Sequence, residues 1–333
     1  MKKTKYIFVL LLLISISVVC TCGTFFYVKF NNGSNVANDS SKEYVIMTSC
    51  NPVYLATINV VGDIDGITVE NLSQPTTGCL HDYTLTTQDM KNLSKADVLI
   101  VNGGGMEGYL DDVTAAYPDL PIIDTYEDIE HSNGLLGANA YLIEDDEHEE
   151  DEQVDNHIDG EEHHHDHGVN SHIWMNEMLY GCQVTSIANG LIELNIGSED
   201  AILENVRKYT AALDKIDKQG LDETLNAENV AILHEAFAYT AQSLGTNVVA
   251  TMDLDEERQV SAGEVSEFID AINENDVKVV FAEYDYGNAM GKLITEQTDA
   301  KVVYLETLVH GNYDGLDYIK IINKNYSLIK SSL

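Results

Sequence analysis

Basic residues are scarce in this chain: 18 Lys and Arg stand against 56 Asp and Glu over 333 residues, for a net charge of −38. Polyanions are repelled by such a surface, so nucleic acid and an anionic membrane face are excluded as main partners, and cationic ligands are the natural complement. Cysteine is used as sparingly. No C-x-x-C pair occurs among the five cysteines, which removes zinc ribbons and a disulfide framework together. Cys20 and Cys22 close an N-terminal apolar stretch, and any bridge among Cys50, Cys79 and Cys182 is left open. Catalytic signatures are missing too. There is no G-x-S-x-G elbow and no phosphate-cradling P-loop, and His234-Glu235 does not start an H-E-x-x-H helix because position 238 is Ala. The expectation is a binding protein and not an enzyme.

What is present begins with an export layout. Lys2, Lys3 and Lys5 precede an apolar run from Tyr6 to Val19, and apolar character resumes through Phe25–Phe30. Residues 1–30 read as a signal with a lipid or membrane-spanning anchor, and 31–43 as a polar tether, which puts the rest at the outer face of the cell membrane. The chain as a whole is 44% hydrophobic, and what remains is long enough for two domains. Between Glu144 and His167 lie 13 acids and six histidines without one Lys or Arg. Low complexity of this kind reads as a solvated loop, here spanning 144–168.

Short apolar runs alternate with helical spacing along both halves. Strands are expected at Tyr44–Thr48, Ile67–Val69, Ala96–Val101 and Pro121–Ile123, with helices at Asn51–Val61, Thr87–Leu93 and Met106–Ala116. The second half places strands at Val230–Leu233, Asn247–Thr251, Val277–Ala282 and Lys301–Leu305. Its helices are expected at Ala236–Leu244, Ser261–Glu274, Gly287–Thr298 and Tyr313–Ile329, the second opened by a Ser261/Glu264 capping box. The alternation predicts α/β lobes with parallel sheets. Asn176–Leu194 and Glu199–Lys218 are helical between them. The lobes are taken as 44–195 and 221–333, joined by a single long helix within 196–220.

In open α/β sheets ligands bind beyond the carboxyl ends of the strands, which sorts the 11 histidines. His148, His157, His163, His164, His165 and His167 belong to the acidic loop and can bind metal weakly without fixed geometry. His131 reads as ordinary surface. His81, His172, His234 and His310 lie in loops at strand ends or directly before a helix, two in each half. Taken together they can converge on a cleft, and three or four imidazoles with one carboxylate form a preferred donor set for zinc. Glu283 and Glu306, at the ends of the last two strands, are each open to being a ligand, a partner orienting an imidazole, or a solvated acid. Glu235 reads as a first-turn helix acid.

Several segments, in order, resemble the metal-binding lipoprotein family that feeds ABC importers for zinc and manganese, especially its zinc branch. His81-Asp82-Tyr83 with Thr86 and Asp89 looks like the first ligand loop, and Met106-Glu107-Gly108-Tyr109-Leu110 like a later helix start. Ser171-His172-Ile173-Trp174-Met175 resembles the second ligand motif, usually acid-Pro-His-x-Trp-Leu, and His234-Glu235-Ala236-Phe237 resembles the third. Positions 85, 87, 171 and 260 hold Leu, Thr, Ser and Val where the family usually has proline.

The resemblance covers Tyr44 to about Ile329. It implies two α/β lobes with the metal in the interlobe cleft, held by His81, His172 and His234. His310 aligns best as the fourth ligand, with Glu306 as the fallback. Histidine at position 234, where manganese-type members carry glutamate, implies Zn(II) as the transported ion and an ABC permease as the partner of a monomeric capture protein. A manganese or iron carrier on the same scaffold, or a surface adhesin with a structural metal, are the alternatives.

Overall fold

The computed structural model describes residues 43–73, 80, 83–130, 169–218, 220–254 and 260–333. The N-terminal anchor and tether, His81, Cys79, His131 and the acidic loop with its six histidines lie outside the described residues. No helix among the described residues is long and apolar enough to cross a membrane.

The first lobe is a four-stranded parallel sheet of β1 (Tyr44–Thr48), β2 (Ile67–Asn71), β3 (Val98–Val101) and β4 (Ile122–Asp124), in the order β2-β1-β3-β4. The second repeats this plan with β5 (Asn229–Ile232), β6 (Asn247–Thr251), β7 (Val279–Glu283) and β8 (Lys301–Leu305), in the order β6-β5-β7-β8. All six strand pairings are parallel, as the crossover helices require. The chain therefore reverses direction across each sheet between its first and third strands, which are neighbours. Those two switch points are where an α/β sheet opens a crevice.

Helices α1 (Asn51–Val61), α2 (Thr87–Leu93), α3 (Leu110–Ala116) and α4 (Glu127–Glu130) belong to the first lobe. Then come α5 (Glu177–Glu193), α6 (Glu199–Leu213) and α7 (Leu221–Leu225). The second lobe adds α8 (Phe237–Leu244), α9 (Ala262–Glu274), α10 (Tyr284–Gln297) and α11 (Asp317–Ser332). Thr86 and Ser261 each close a full capping box, with Asp89 and Glu264 respectively.

Four helix boundaries are the main departures from the sequence expectation. The helix expected from Met106 starts at Leu110, because the carboxylate of Glu107 turns back to accept the amide N–H groups of Asn102 and Gly103. Gly103, Gly104 and Gly105 all take positive φ to allow that turn. Helix α6 stops at Leu213 and not at Lys218, whose ammonium is drawn to Glu177 at 2.8 Å. Helix α10 starts three residues early, directly off β7. The last helix starts at Asp317 and not at Tyr313, because residues 306–316 cross to the first lobe. In that strap Leu308 and Tyr313 both adopt positive φ, a conformation no periodicity announces.

Helix α6 packs on α1 and α5, and its Asn205 amide donates to the carbonyls of Val60 and Val61. Glu177 then ties three other elements together, taking Lys218, Ser243 of α8 and Tyr326 of α11 on its two oxygens. Burial raises its carboxyl, but Lys218 and Ser243 offset this and the net position is below the ordinary value.

The two lobes share apolar packing as well. Alternate residues of a strand face opposite sides of its sheet. Val230, Ile232 and Phe281 accordingly join a core that runs continuously from Ile46 to Ile329 through both lobes, whereas Ala231, Leu233, Val280 and Ala282 face a second core under α9 and α10. At the junction Tyr180 of α5 stacks on Tyr318 of α11, with ring centroids 3.5 Å apart and planes 9° apart. The Tyr318 hydroxyl donates to the carbonyl of Trp174 at 2.8 Å, and the Trp174 indole donates to the carbonyl of Thr307 at 2.8 Å. Residues 43–333 thus form one compact unit.

Tyr318→Phe deletes one of these buried bonds and leaves the Trp174 carbonyl without it. We expect a loss of about 1–3 kcal/mol, read as a lower urea midpoint with an unchanged slope.

Candidate metal centre

Both switch points face the segment Asn170–Asn176, and the candidate centre is built on it. Asn102, the first residue after β3, donates its amide N–H to the carbonyl of Ser171 at 2.8 Å. Asn102 is itself fixed: its amide oxygen accepts from Gln183 of α5, its carbonyl accepts the Thr125 hydroxyl, and its own N–H goes to Glu107. The next residue, His172, is fully buried, and Ile173–Met175 make one 3-10 turn before Asn176 caps α5. His234 comes from the other side, two residues beyond the end of β5, and is 4% exposed.

The structure brings these two histidines together across the lobes. Their ring centroids lie 5.0 Å apart with planes at 77°. Each Nδ1 is turned toward a carboxylate. His172 Nδ1 stands 3.1 Å from Glu235 Oε1 and 3.1 Å from Asn170 Oδ1, and His234 Nδ1 stands 3.3 Å from Glu283 Oε2. An imidazole that donates from Nδ1 carries its lone pair on Nε2, the form that ligates a metal.

Glu283 ends β7 and is held on its other oxygen by the Thr307 hydroxyl at 2.7 Å. Burial acts to raise this carboxyl. The imidazole of His234, the Thr307 hydroxyl and the nearby His310 more than offset burial and hold it below its ordinary range. Asp253, two residues past β6, accepts the N–H of Glu235 at 3.3 Å. Its carboxyl is raised, first by burial and further by Glu235, against the pull of His234 and His172. Two imidazoles and three carboxylates therefore share this part of the cleft, an arrangement that attracts a cation strongly.

The other sequence candidates fall as follows. His310 is half-buried in the strap after β8, close enough to Glu283 to act on it electrostatically, and its carbonyl lies 3.4 Å from the Asn51 amide nitrogen. Glu306 directs its carboxylate to Lys324 of α11, while its backbone is paired with Asn325. His81 lies outside the described residues, between Leu80, which is in the first-lobe core, and Tyr83, whose hydroxyl donates to Asp89. Among the described residues no three His, Cys, Asp or Glu side chains close on one metal position. Cys182 is a free thiol.

Sequence reasoning missed Asn170 and Asp253 and misread Glu235. Glu235, expected as a first-turn helix acid, precedes α8, which begins at Phe237; it is 8% exposed and its carboxylate stands 3.1 Å from His172 Nδ1. Asp253 was findable, since it obeys the same strand-end rule that selected the histidines.

A family described as zinc-uptake complex component A, periplasmic, matches residues 46–332. The chain belongs to that family. Its members are the extracytoplasmic metal-binding components of ABC importers, which bind a metal and work with a membrane permease and are not enzymes. The high-affinity zinc uptake system protein ZnuA of Bacillus subtilis is 24% identical over 326 residues, covering 95% of this chain and 94% of its own. The iron-binding protein YfeA of Yersinia pestis is 22% identical over 305 residues, covering 89% and 88%. Among solved structures, the Mn2+ complex of FpvC from Pseudomonas aeruginosa superposes with a TM-score of 0.68 at 22% identity, over 87% of this chain and 98% of that one. The family thus shares two α/β lobes while its named metals differ.

One buried acid behind the site titrates unusually. Burial pushes the Glu107 carboxyl from 4.5 up to about 7, against the two amide N–H groups that favour its charge. The folded state then holds a proton that the unfolded chain has released, so the contribution of this group to stability falls as pH rises between those values. We expect the Glu107 carboxyl carbon to titrate near 7 in 13C NMR, with that resonance absent in Glu107→Gln.

Proposed function

We propose that the protein captures Zn(II) in the interlobe cleft and delivers it to an ABC permease, held at the outer face of the membrane by its N-terminal residues 1–30. The observation that carries this reading is the facing pair His172 and His234, 5.0 Å apart between ring centroids, each with Nδ1 within 3.3 Å of a carboxylate. Neutral imidazole nitrogens from both lobes suit zinc better than the oxygen donors that manganese prefers. His81 completes the set, with His310 as the fourth ligand. Glu306 serves as the fallback only if it leaves Lys324. The histidines of the 144–168 loop gather further ions weakly.

A manganese- or iron-binding protein is the second reading. It is favoured by the carboxylates of Glu235, Asp253 and Glu283 around the imidazoles, and by relatives named for iron and bound to manganese.

Competitive titration of residues 43–333, purified without a tag and stripped by chelator, separates the two. We expect one tight zinc per chain that excess manganese does not displace, and His234→Ala to weaken it by more than about 100-fold, beyond the loss typical of an outer partner. Displacement by manganese, or an unchanged affinity in the variant, would remove the zinc reading. Deleting 144–168 should spare the tight site and lower the number of weakly bound ions, counted by elemental analysis.

A further inference from the structure

The two imidazoles are held in different ways, and the difference concerns which lobe supplies the charge. His234 rests on Glu283, and Glu283 rests on Thr307; all three belong to the second lobe. That ion pair lies within one lobe. His172 belongs to the first lobe, and its Nδ1 meets two acceptors at 3.1 Å. One is the amide oxygen of Asn170, two residues away, which also accepts the backbone N–H of His172 at 3.1 Å. The other is the carboxylate of Glu235, from the opposite lobe. The Nδ1 hydrogen bond goes to Asn170, and the Glu235 carboxylate, at the same distance, adds from across the cleft the negative charge that a neutral amide does not supply.

Glu235 is also placed with little freedom. Its carbonyl accepts the Asn170 side-chain N–H at 2.8 Å, and its N–H goes to Asp253 at 3.3 Å. Asn170 is pinned in turn by the Tyr239 hydroxyl of α8, which donates to its carbonyl at 2.6 Å. Every one of these contacts except the one with Asp253 joins the first lobe to the second. If the lobes part, His234 keeps its partner and His172 loses its charged one.

We propose that Glu235 is a positioning residue that makes retention of the captured ion depend on lobe closure, by holding His172 Nδ1 from the opposite lobe. This rests on the metal-capture reading above. His234, whose carboxylate partner moves with it, meets the ion first. His172 acquires its full donor strength and fixed orientation only when Glu235 arrives, and opening the lobes weakens one ligand before any metal bond has broken. Glu235 therefore acts on release more than on capture.

The test compares the full chain with Glu235→Gln and Glu235→Asp in detergent. Zinc association and its transfer to excess chelator are followed by stopped flow, and Co(II) absorption reports the coordination sphere. We expect Glu235→Gln to speed release by about 10–100-fold, the range for removing a partner of a ligating histidine, with association changed less than about twofold. The Co(II) spectrum and the single tight stoichiometry should persist, and Glu235→Asp should recover part of the slow release.

Release unchanged in both variants would overturn the proposal. So would a Co(II) spectrum showing a lost ligand, because Glu235 would then bind the metal itself. If Glu235→Gln fails to fold, the shortened carboxylate of Glu235→Asp carries the comparison, and wild-type release rates in it would count against the assignment. A wild-type chain without a tight site would instead sink the metal-capture reading, and that outcome is visible before any variant is made.

Discussion

The pinning of Asn170–Trp174 between the two sheets is the constraint on which the rest of the structure depends. The segment belongs to no strand, yet four side chains anchor it from both lobes. Asn102 holds the Ser171 carbonyl, Asn170 holds and is held by the Glu235 region, Trp174 reaches Thr307, and Tyr318 reaches Trp174. Backbone buried outside a sheet must satisfy its polar groups one by one, and here each satisfaction also fixes a lobe. The position of His172 follows from these bonds. The packing of α5 against α11 and the course of the strap at 306–316 meet the same requirement.

The electrostatics follow from burial of that junction. Carboxylates so poorly exposed are tolerable only with partners. Glu283 has His234 and Thr307, Glu177 has Lys218, Ser243 and Tyr326, and Glu107 has two backbone amides. The outcomes differ because the partners differ. Cationic or potentially cationic neighbours pull Glu283 and Glu177 below the ordinary range, whereas Glu107, with neutral donors alone, is left to burial and rises to about 7. A strongly acidic chain therefore keeps its buried acids in check by local pairing and leaves the excess negative charge to attract a cation.

Most of the architecture was legible in the residues. Hydrophobic period marked all eight strands among the described residues, most of them short apolar runs, and the Ser261/Glu264 box marked a helix start that the structure keeps. Three of the boundaries that moved did so where a specific partner intervened, near in the chain for Glu107 folding back on Asn102, and distant for Lys218 drawn to Glu177 and for the strap drawn to Asn51, Asn59 and Ser73. Local spacing carries no trace of a partner 250 residues away.

For the candidate centre the division is similar. The sequence by itself determined that histidines stand at strand ends in both halves and that the surrounding charge is negative. Residue type and strand-end position are local properties, and those are sufficient for that much. Only the tertiary structure decided which acid serves which imidazole. Glu235, adjacent to His234 in the chain, turns away from its neighbour to meet His172 of the other lobe, and His234 takes Glu283, 49 positions on. Pairing across a cleft depends on how two separately folded sheets dock, and docking is set by a shared core that no window of the sequence contains.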